Sequence, residues 1–229
     1  MATLGDIRTL VRDRLDESTP RRWTNDQLNR WINEGARDVA RRSECLHANG
    51  TVNVNAGVQQ VSLATLTDII RINRVEWKTT GENTIHSLEY RDFNNLDAVW
   101  WDQQAITRSK PSYFTLTGYP PALTAVLYPT PSSGGTLKVW YWKIPPNITN
   151  DNATVQIPGG WEDTIADYAE YKALRKDADP RWRDAFEIYK DNLGAIVEVS
   201  RRYTDQNTVI TPEVPHLASW VWDDGYGAW

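Results

Sequence analysis

Apolar residues recur at helical spacing at both ends of the chain and alternate in the middle. Leu4, Ile7, Leu10, Val11 and Leu15 fall three and four apart, with Thr3 or Asp6 placed to open the helix. Glu17-Ser18-Thr19-Pro20 ends it. Thr24 is a good N-cap for the next helix, Gln27 completes a capping box, and Trp23 is placed to staple onto Leu28. Leu28, Trp31, Ile32, Gly35, Ala36, Val39 and Ala40 then form one stripe, reaching about Arg42. Two such helices joined by a short loop predict an antiparallel hairpin.

From residue 51 the pattern switches. Thr51–Val54, Val58–Leu63, Ile69–Lys78, Tyr113–Leu116, Leu123–Tyr128 and Thr136–Lys143 are rich in β-branched residues and predict strands. Glu89–Asp102 reads as a short helix carrying Leu96, Val99 and Trp100. Pro129-Thr130-Pro131-Ser132-Ser133-Gly134-Gly135 reads as the loop of a hairpin between the last two strands. In the last strand Leu137, Val139 and Tyr141 share one face and Lys138, Trp140 and Trp142 the other. Trp140 and Trp142 are therefore expected on an exposed face that suits a partner.

Helical spacing returns after Pro145-Pro146. Ile165, Tyr168, Ala169, Ala173 and Leu174 make a stripe within Trp161–Asp177. Asp179 as N-cap and Pro180 at the first position predict a final helix to about Tyr203, with Trp182, Phe186, Tyr189, Leu193, Ile196 and Ser200 along one side. The expected fold class is α+β: a four-helix bundle from the N- and C-terminal helix pairs, an inserted β-rich domain and an extended C-terminal arm. The divisions fall at 1–48 (helical hairpin), 49–157 (β-rich insertion), 158–203 (helix pair) and 204–229 (arm).

Composition narrows the chemistry. Of the 229 residues 40% are hydrophobic and 24% charged, the balance of a folded domain long enough to bury a core. The only cysteine, Cys45, excludes an internal disulfide and cysteine-cluster metal sites. His47, His86 and His216 lack metal-ligand spacing, so no metal or cofactor is expected. The first 15 residues are charged throughout, and no apolar run approaches the roughly 20 residues of a spanning helix, which predicts a soluble, intracellularly made protein. The Gly-rich phosphate loop, the Gly-x-Ser-x-Gly elbow and the His-Glu-x-x-His pair are missing. Cys45 and His47 are too close in sequence to converge as nucleophile and base, so a structural cysteine and a non-enzyme are expected.

Charge and aromatics point to assembly instead. The net charge is −5, against general nucleic-acid affinity. The nine arginines of residues 1–45 share that stretch with eight acids, so solvated helix faces and salt bridges between subunits are expected there. There are 12 tryptophans and 10 tyrosines, residue types enriched at interfaces. The tail concentrates them: residues 203–229 hold Tyr203, Trp220, Trp222, Tyr226 and Trp229 with Asp205, Glu213, Asp223 and Asp224, and no Lys or Arg. Asp223-Asp224-Gly225 is read as a solvated turn rather than a carboxylate pair for catalysis. Pro212 and Pro215 predict an extended rather than helical arm.

The run Trp23-Thr24-Asn25-Asp26-Gln27-Leu28-Asn29-Arg30-Trp31-Ile32-Asn33-Glu34-Gly35 resembles the first helical hairpin of tailed-phage head-to-tail adaptor (connector) proteins. Pro111-Ser112-Tyr113-Phe114, Leu127-Tyr128-Pro129, Tyr141-Trp142 and the closing helices opened by Ile157-Pro158 and Trp161 are similar to the β-rich adaptors. The resemblance covers about residues 3–203. It implies a structural protein of the virion neck, made in the host cytoplasm. Its partners are expected to be other copies of itself in a ring, usually of twelve, the portal protein, and a tail or nozzle protein. DNA passes through such a ring without specific binding, and no membrane is involved. The arm is the expected portal contact, anchored by Trp220, Trp222, Asp223, Asp224, Tyr226 and Trp229. A tail completion protein and a Trp-rich carbohydrate-binding module are the competing readings; the second requires Trp140 and Trp142 on an open platform.

Overall fold

The computed structural model describes residues 2–17, 19–92 and 108–204. Both N-terminal helices start where their caps predict. In α1 (Leu4–Arg14) Thr3 is the N-cap and Asp6 completes a capping box. In α2 (Asn25–Ser43) Thr24 and Gln27 do the same, and Leu28, Trp31, Ile32, Gly35, Ala36, Val39 and Ala40 are all buried. The turn between them is built on a buried ion pair. Arg12 donates to Glu17 at 3.0 Å, to the Trp23 carbonyl at 3.0 Å and to Asn25 at 2.7 Å. Glu17 also accepts the backbone N–H groups of Arg21, Arg22 and Trp23. Both charges of the pair are hydrogen-bonded further, as burial requires.

Among the described residues nine strands follow: β1 (His47–Val54), β2 (Gln60–Ser62), β3 (Ile69–Thr79), β4 (Ile85–Tyr90), β5 (Arg108–Ser109), β6 (Tyr113–Thr117), β7 (Thr124–Tyr128), β8 (Thr130–Pro131) and β9 (Gly135–Lys143). Seven form one sheet in the order β1-β9-β3-β4-β6-β7-β2; β5 and β8 pair separately. Every neighbouring pair in the large sheet is antiparallel except β4–β6. The two edge strands, β1 and β2, are consecutive in the chain and joined by residues 55–59. Laid flat, seven strands would set those edges about 29 Å apart. The linker reaches about 22 Å at full extension. The sheet therefore curls into a nearly closed, barrel-like form.

Its interior holds Val54, Ile72, Val75, Trp77, Leu88, Phe114, Leu127, Leu137, Val139 and Tyr141. Gly135 is needed at the start of β9, because a Cβ there would lie 2.4 Å from the Trp77 ring and 2.6 Å from the Lys78 carbonyl. The chain then returns to helix in α3 (Glu162–Lys176) and α4 (Trp182–Thr204). The α4 start falls two residues after Pro180, with the Asp179 carboxylate accepting the Arg181 N–H at 2.9 Å. The helices share a second apolar cluster with Val155 and Ile157. Gly35 lets α2 approach α3 closely: a Cβ there would sit 3.1 Å from the Tyr168 ring.

The expected four-helix bundle with an inserted β domain is not what forms. The curled seven-stranded sheet is the centre of the architecture and the helices flank it. Sheet and helices are joined too tightly for an insertion on linkers. β1 begins at His47, four residues after α2 ends, and Glu44 at the α2 C-cap pairs with Arg71 of β3 at 2.6 Å. On the way out Asn33 clamps Ile148, accepting its N–H at 2.8 Å and donating to its carbonyl at 2.9 Å.

Two local expectations also fail. β7 and β9 are not a hairpin, since β7 lies between β6 and β2 while β9 lies between β1 and β3. Residues 129–134 instead cross from one part of the sheet to another. Glu89 and Tyr90 of the expected helix belong to β4, where they pair with Tyr113 and Phe114. Residues 93–102 of that helix lie outside the described residues.

Burial opposes ionisation of Glu17, but the N–H groups of Arg22, Arg21 and Trp23 and the Arg12 charge outweigh it, so its pKa is lowered. A lowered folded-state pKa adds stability above the ordinary glutamate value, and that stability is lost as pH falls through the folded value. Glu17→Gln is expected to cost about 1–3 kcal/mol at pH 7. In urea denaturation across pH, the gap between variant and wild type should close below about pH 4.

Candidate functional site

The outer face of β9 carries the expected aromatic pair, and the register fixes its neighbours. Trp140 lies opposite Asn49 of β1 and Arg74 of β3; Trp142 lies opposite His47 and Arg71. Trp140 is half-buried. Its indole N–H donates to Glu76 at 3.0 Å, and the Lys138 ammonium sits 4.0 Å from its ring centroid. Glu76 also pairs with Arg74 at 2.8 Å. This polar ladder holds Trp140 in one orientation with part of its ring open.

Trp142 is different: it is fully buried, and the expectation of an exposed pair is corrected for this residue. It sits where the end of β9 runs beneath the α2–β1 connection, with the Lys143 N–H donating to the Leu46 carbonyl at 2.8 Å. The Arg71 guanidinium covers its ring at 4.5 Å, and the His47 ring lies 5.4 Å away. Arg71 is held there by Glu44, whose carboxyl pKa is raised by burial against the opposing charges of Arg71 and Arg201. With Trp142 covered, the two-ring stacking platform that a carbohydrate-binding module requires is not present.

This junction was invisible in the sequence, because Glu44, Arg71 and Trp142 meet only through the sheet register. Nearby, Tyr141 donates to Asp68 at 2.9 Å, and burial together with that bond pushes its phenol up to about 12. Cys45 is half-buried at the α2 end, and burial raises its thiol pKa, so the thiolate a nucleophile needs is disfavoured. Among the described residues no cluster of three or more His, Cys, Asp or Glu is arranged to hold a metal ion. Nor is any helix there long and apolar enough to cross a membrane.

The arginines of the first hairpin are used largely within the chain. Arg8 pairs with Asp151 at 2.5 Å, Arg14 with Asp163 at 3.0 Å and with Asp167, Arg22 with Asp177 at 2.5 Å, and Arg42 with Asp38 at 3.0 Å. Asp167 also accepts from Asn192 at 2.8 Å, tying α3 to α4. Salt bridges expected between subunits are thus, for these residues, made inside one chain. Trp220, Trp222, Asp223, Asp224, Tyr226 and Trp229 lie outside the described residues.

A family model described as SU10 adaptor protein matches residues 2–212. The chain belongs to the SU10 adaptor protein family. The match takes in both helix pairs and the whole curled sheet, and it is consistent with a phage head-to-tail adaptor. The family is one of structural phage adaptor proteins. The match stops before the tail aromatics from Trp220 onward. No curated protein matches the chain.

The two tryptophans of β9 should respond oppositely to truncation. Trp142→Ala is expected to cost about 3–5 kcal/mol, because it empties a fully buried site. Trp140→Ala should cost clearly less. Chemical denaturation of both variants checks this, and the reverse order would place Trp140 in the core and Trp142 at the surface.

Proposed function

We propose that this protein forms the ring that joins the portal vertex of the capsid to the tail, with the DNA channel through its centre. The observation that carries the reading is the adaptor family match over nearly the whole described chain. Twelve copies are the expected number, from the resemblance to ring-forming adaptors. The net charge of −5 suits a channel that DNA must pass, since acidic walls repel phosphate and avoid sticking.

Residues 204–229 are the arm that docks this ring onto the portal. Their support is compositional: Trp220, Trp222, Tyr226 and Trp229 flank Asp223 and Asp224, and the segment has no Lys or Arg. Each Trp or Tyr buries on the order of 150–250 Å² when it docks. Trp220 and Trp222 act as the hot spots, and the two aspartates set register and approach against basic residues of the portal. Trp140, which keeps part of its ring open, is a secondary contact on the sheet.

Deleting residues 216–229 should leave a folded chain with an unchanged thermal transition, because α4 ends at Thr204. Phage carrying the deletion should accumulate DNA-filled heads and free tails, counted by electron microscopy. Normal particles would make the arm dispensable. Loss of folding would assign its aromatics to the protein's own core.

A further inference from the structure

We propose that the solvent face of α2 in one copy docks against the solvent face of α4 in a second copy of the same chain, head to tail. The choice of a second copy rests on the ring reading; the choice of surfaces rests on charge. Arg30, Arg37 and Arg41 fall on one stripe of α2, opposite its buried face. Arg30 and Arg41 are exposed and Arg37 is half-buried, with its Nε donating to the Asn33 carbonyl at 3.2 Å. Among the described residues none of the three has an ion-pair partner, whereas five other arginines of the first 45 residues do. Two acids share the stripe: Glu34 faces Lys172 of α3 at 3.8 Å, and the exposed Asp26 lies at its N-terminal end, one turn before Arg30.

The complementary stripe lies on α4. Asp184 and Asp191 are exposed and have no ion-pair partner among the described residues. Beside them Ile188 is 54% exposed and Val199 44%, with Ala195 exposed between. Arg30 and Arg37 are seven residues apart, as are Asp184 and Asp191, so each pair repeats after two turns, about 10.5 Å. Two helices with opposite charges at the same repeat can satisfy both pairs in one register. The arginine stems then cover the apolar edge of Ile188 and Val199.

The two stripes are on different helices, so the contact is heterologous. Each copy that docks by one face still presents the other, and the contact propagates until rotation closes a ring. Charge complementarity of this kind sets partner orientation and weakens with salt.

Sedimentation velocity up to the solubility limit, at low and high salt, tests the proposal on the full chain. Wild type should associate at low salt and dissociate as salt rises. Arg30→Glu with Arg37→Glu, and separately Asp184→Lys with Asp191→Lys, should each be monomeric and keep a cooperative thermal transition. An equimolar mixture of the two double variants should associate again, because reversed α2 now meets reversed α4. A monomeric wild type, association that persists in the variants, or a mixture that fails to recover overturns the interface. Particle necks that hold a single copy, imaged by electron microscopy, would instead overturn the ring reading itself.

Discussion

The short connection between β1 and β2 constrains the rest of the molecule. These strands are the two edges of a seven-stranded sheet, yet only residues 55–59 join them. The sheet must curl, and curling turns one face into an enclosed core around Trp77, Leu88, Leu137 and Val139. It also limits open edges, which otherwise invite pairing with other chains. The linker is fastened to the far side of the sheet, with the Gly57 N–H on the Pro131 carbonyl at 2.8 Å and the Leu127 N–H on the Gln59 carbonyl at 2.9 Å.

Curling also decides how the helices attach. β9 lies between β1 and β3, so its C-terminal end arrives beneath the point where α2 hands the chain to the sheet. Trp142, Arg71 and Glu44 interlock there. The outgoing chain is pinned a second time, by Asn33 on Ile148 and by Arg8 on Asp151. A further strand-like contact follows, with the Leu4 N–H on the Ala153 carbonyl at 3.0 Å and the Val155 N–H on the Ala2 carbonyl at 3.1 Å. Helices and sheet each have an apolar cluster, and polar clamps of long sequence separation couple them.

What the sequence made legible was local. Thr3, Thr24 and the stripe from Leu28 to Ala40 announce their helices, because capping and periodicity act over a few residues. β4 escaped because of its six residues Ile85–Tyr90 only Leu88 is buried, leaving no alternation to detect. The Pro129–Gly135 stretch has the composition of a turn, but whether the flanking strands pair is decided by β2 and β6 competing for β7. Bundle and barrel were likewise indistinguishable, since the closure comes from the order of strands and not from any residue in them. At β9, alternation correctly gave Leu137, Val139 and Tyr141 as core, while the burial of Trp142 depends on Arg71 and His47 arriving from elsewhere.

The tryptophan excess takes on a different meaning once the fold is known. Trp23, Trp31, Trp77 and Trp142 are buried, and Trp140, Trp161 and Trp182 are half-buried. Trp23 and Trp31 meet edge to face at 5.5 Å within the helical core, beneath Lys176. Seven of the 12 tryptophans are thus wholly or partly engaged in packing the chain's own structure. Aromatic richness across the whole chain is therefore weak evidence for interfaces, because a curled sheet and a compact helix cluster both need large side chains to fill them. The proposed arm rests on composition alone, the acidic run from Trp220 to Trp229 without Lys or Arg, whereas the charged faces of α2 and α4 carry residues with no ion-pair partner among the described residues. The two proposed contacts differ in kind, aromatic in the arm and complementary in charge between α2 and α4, so each can be removed by substitution without touching the other.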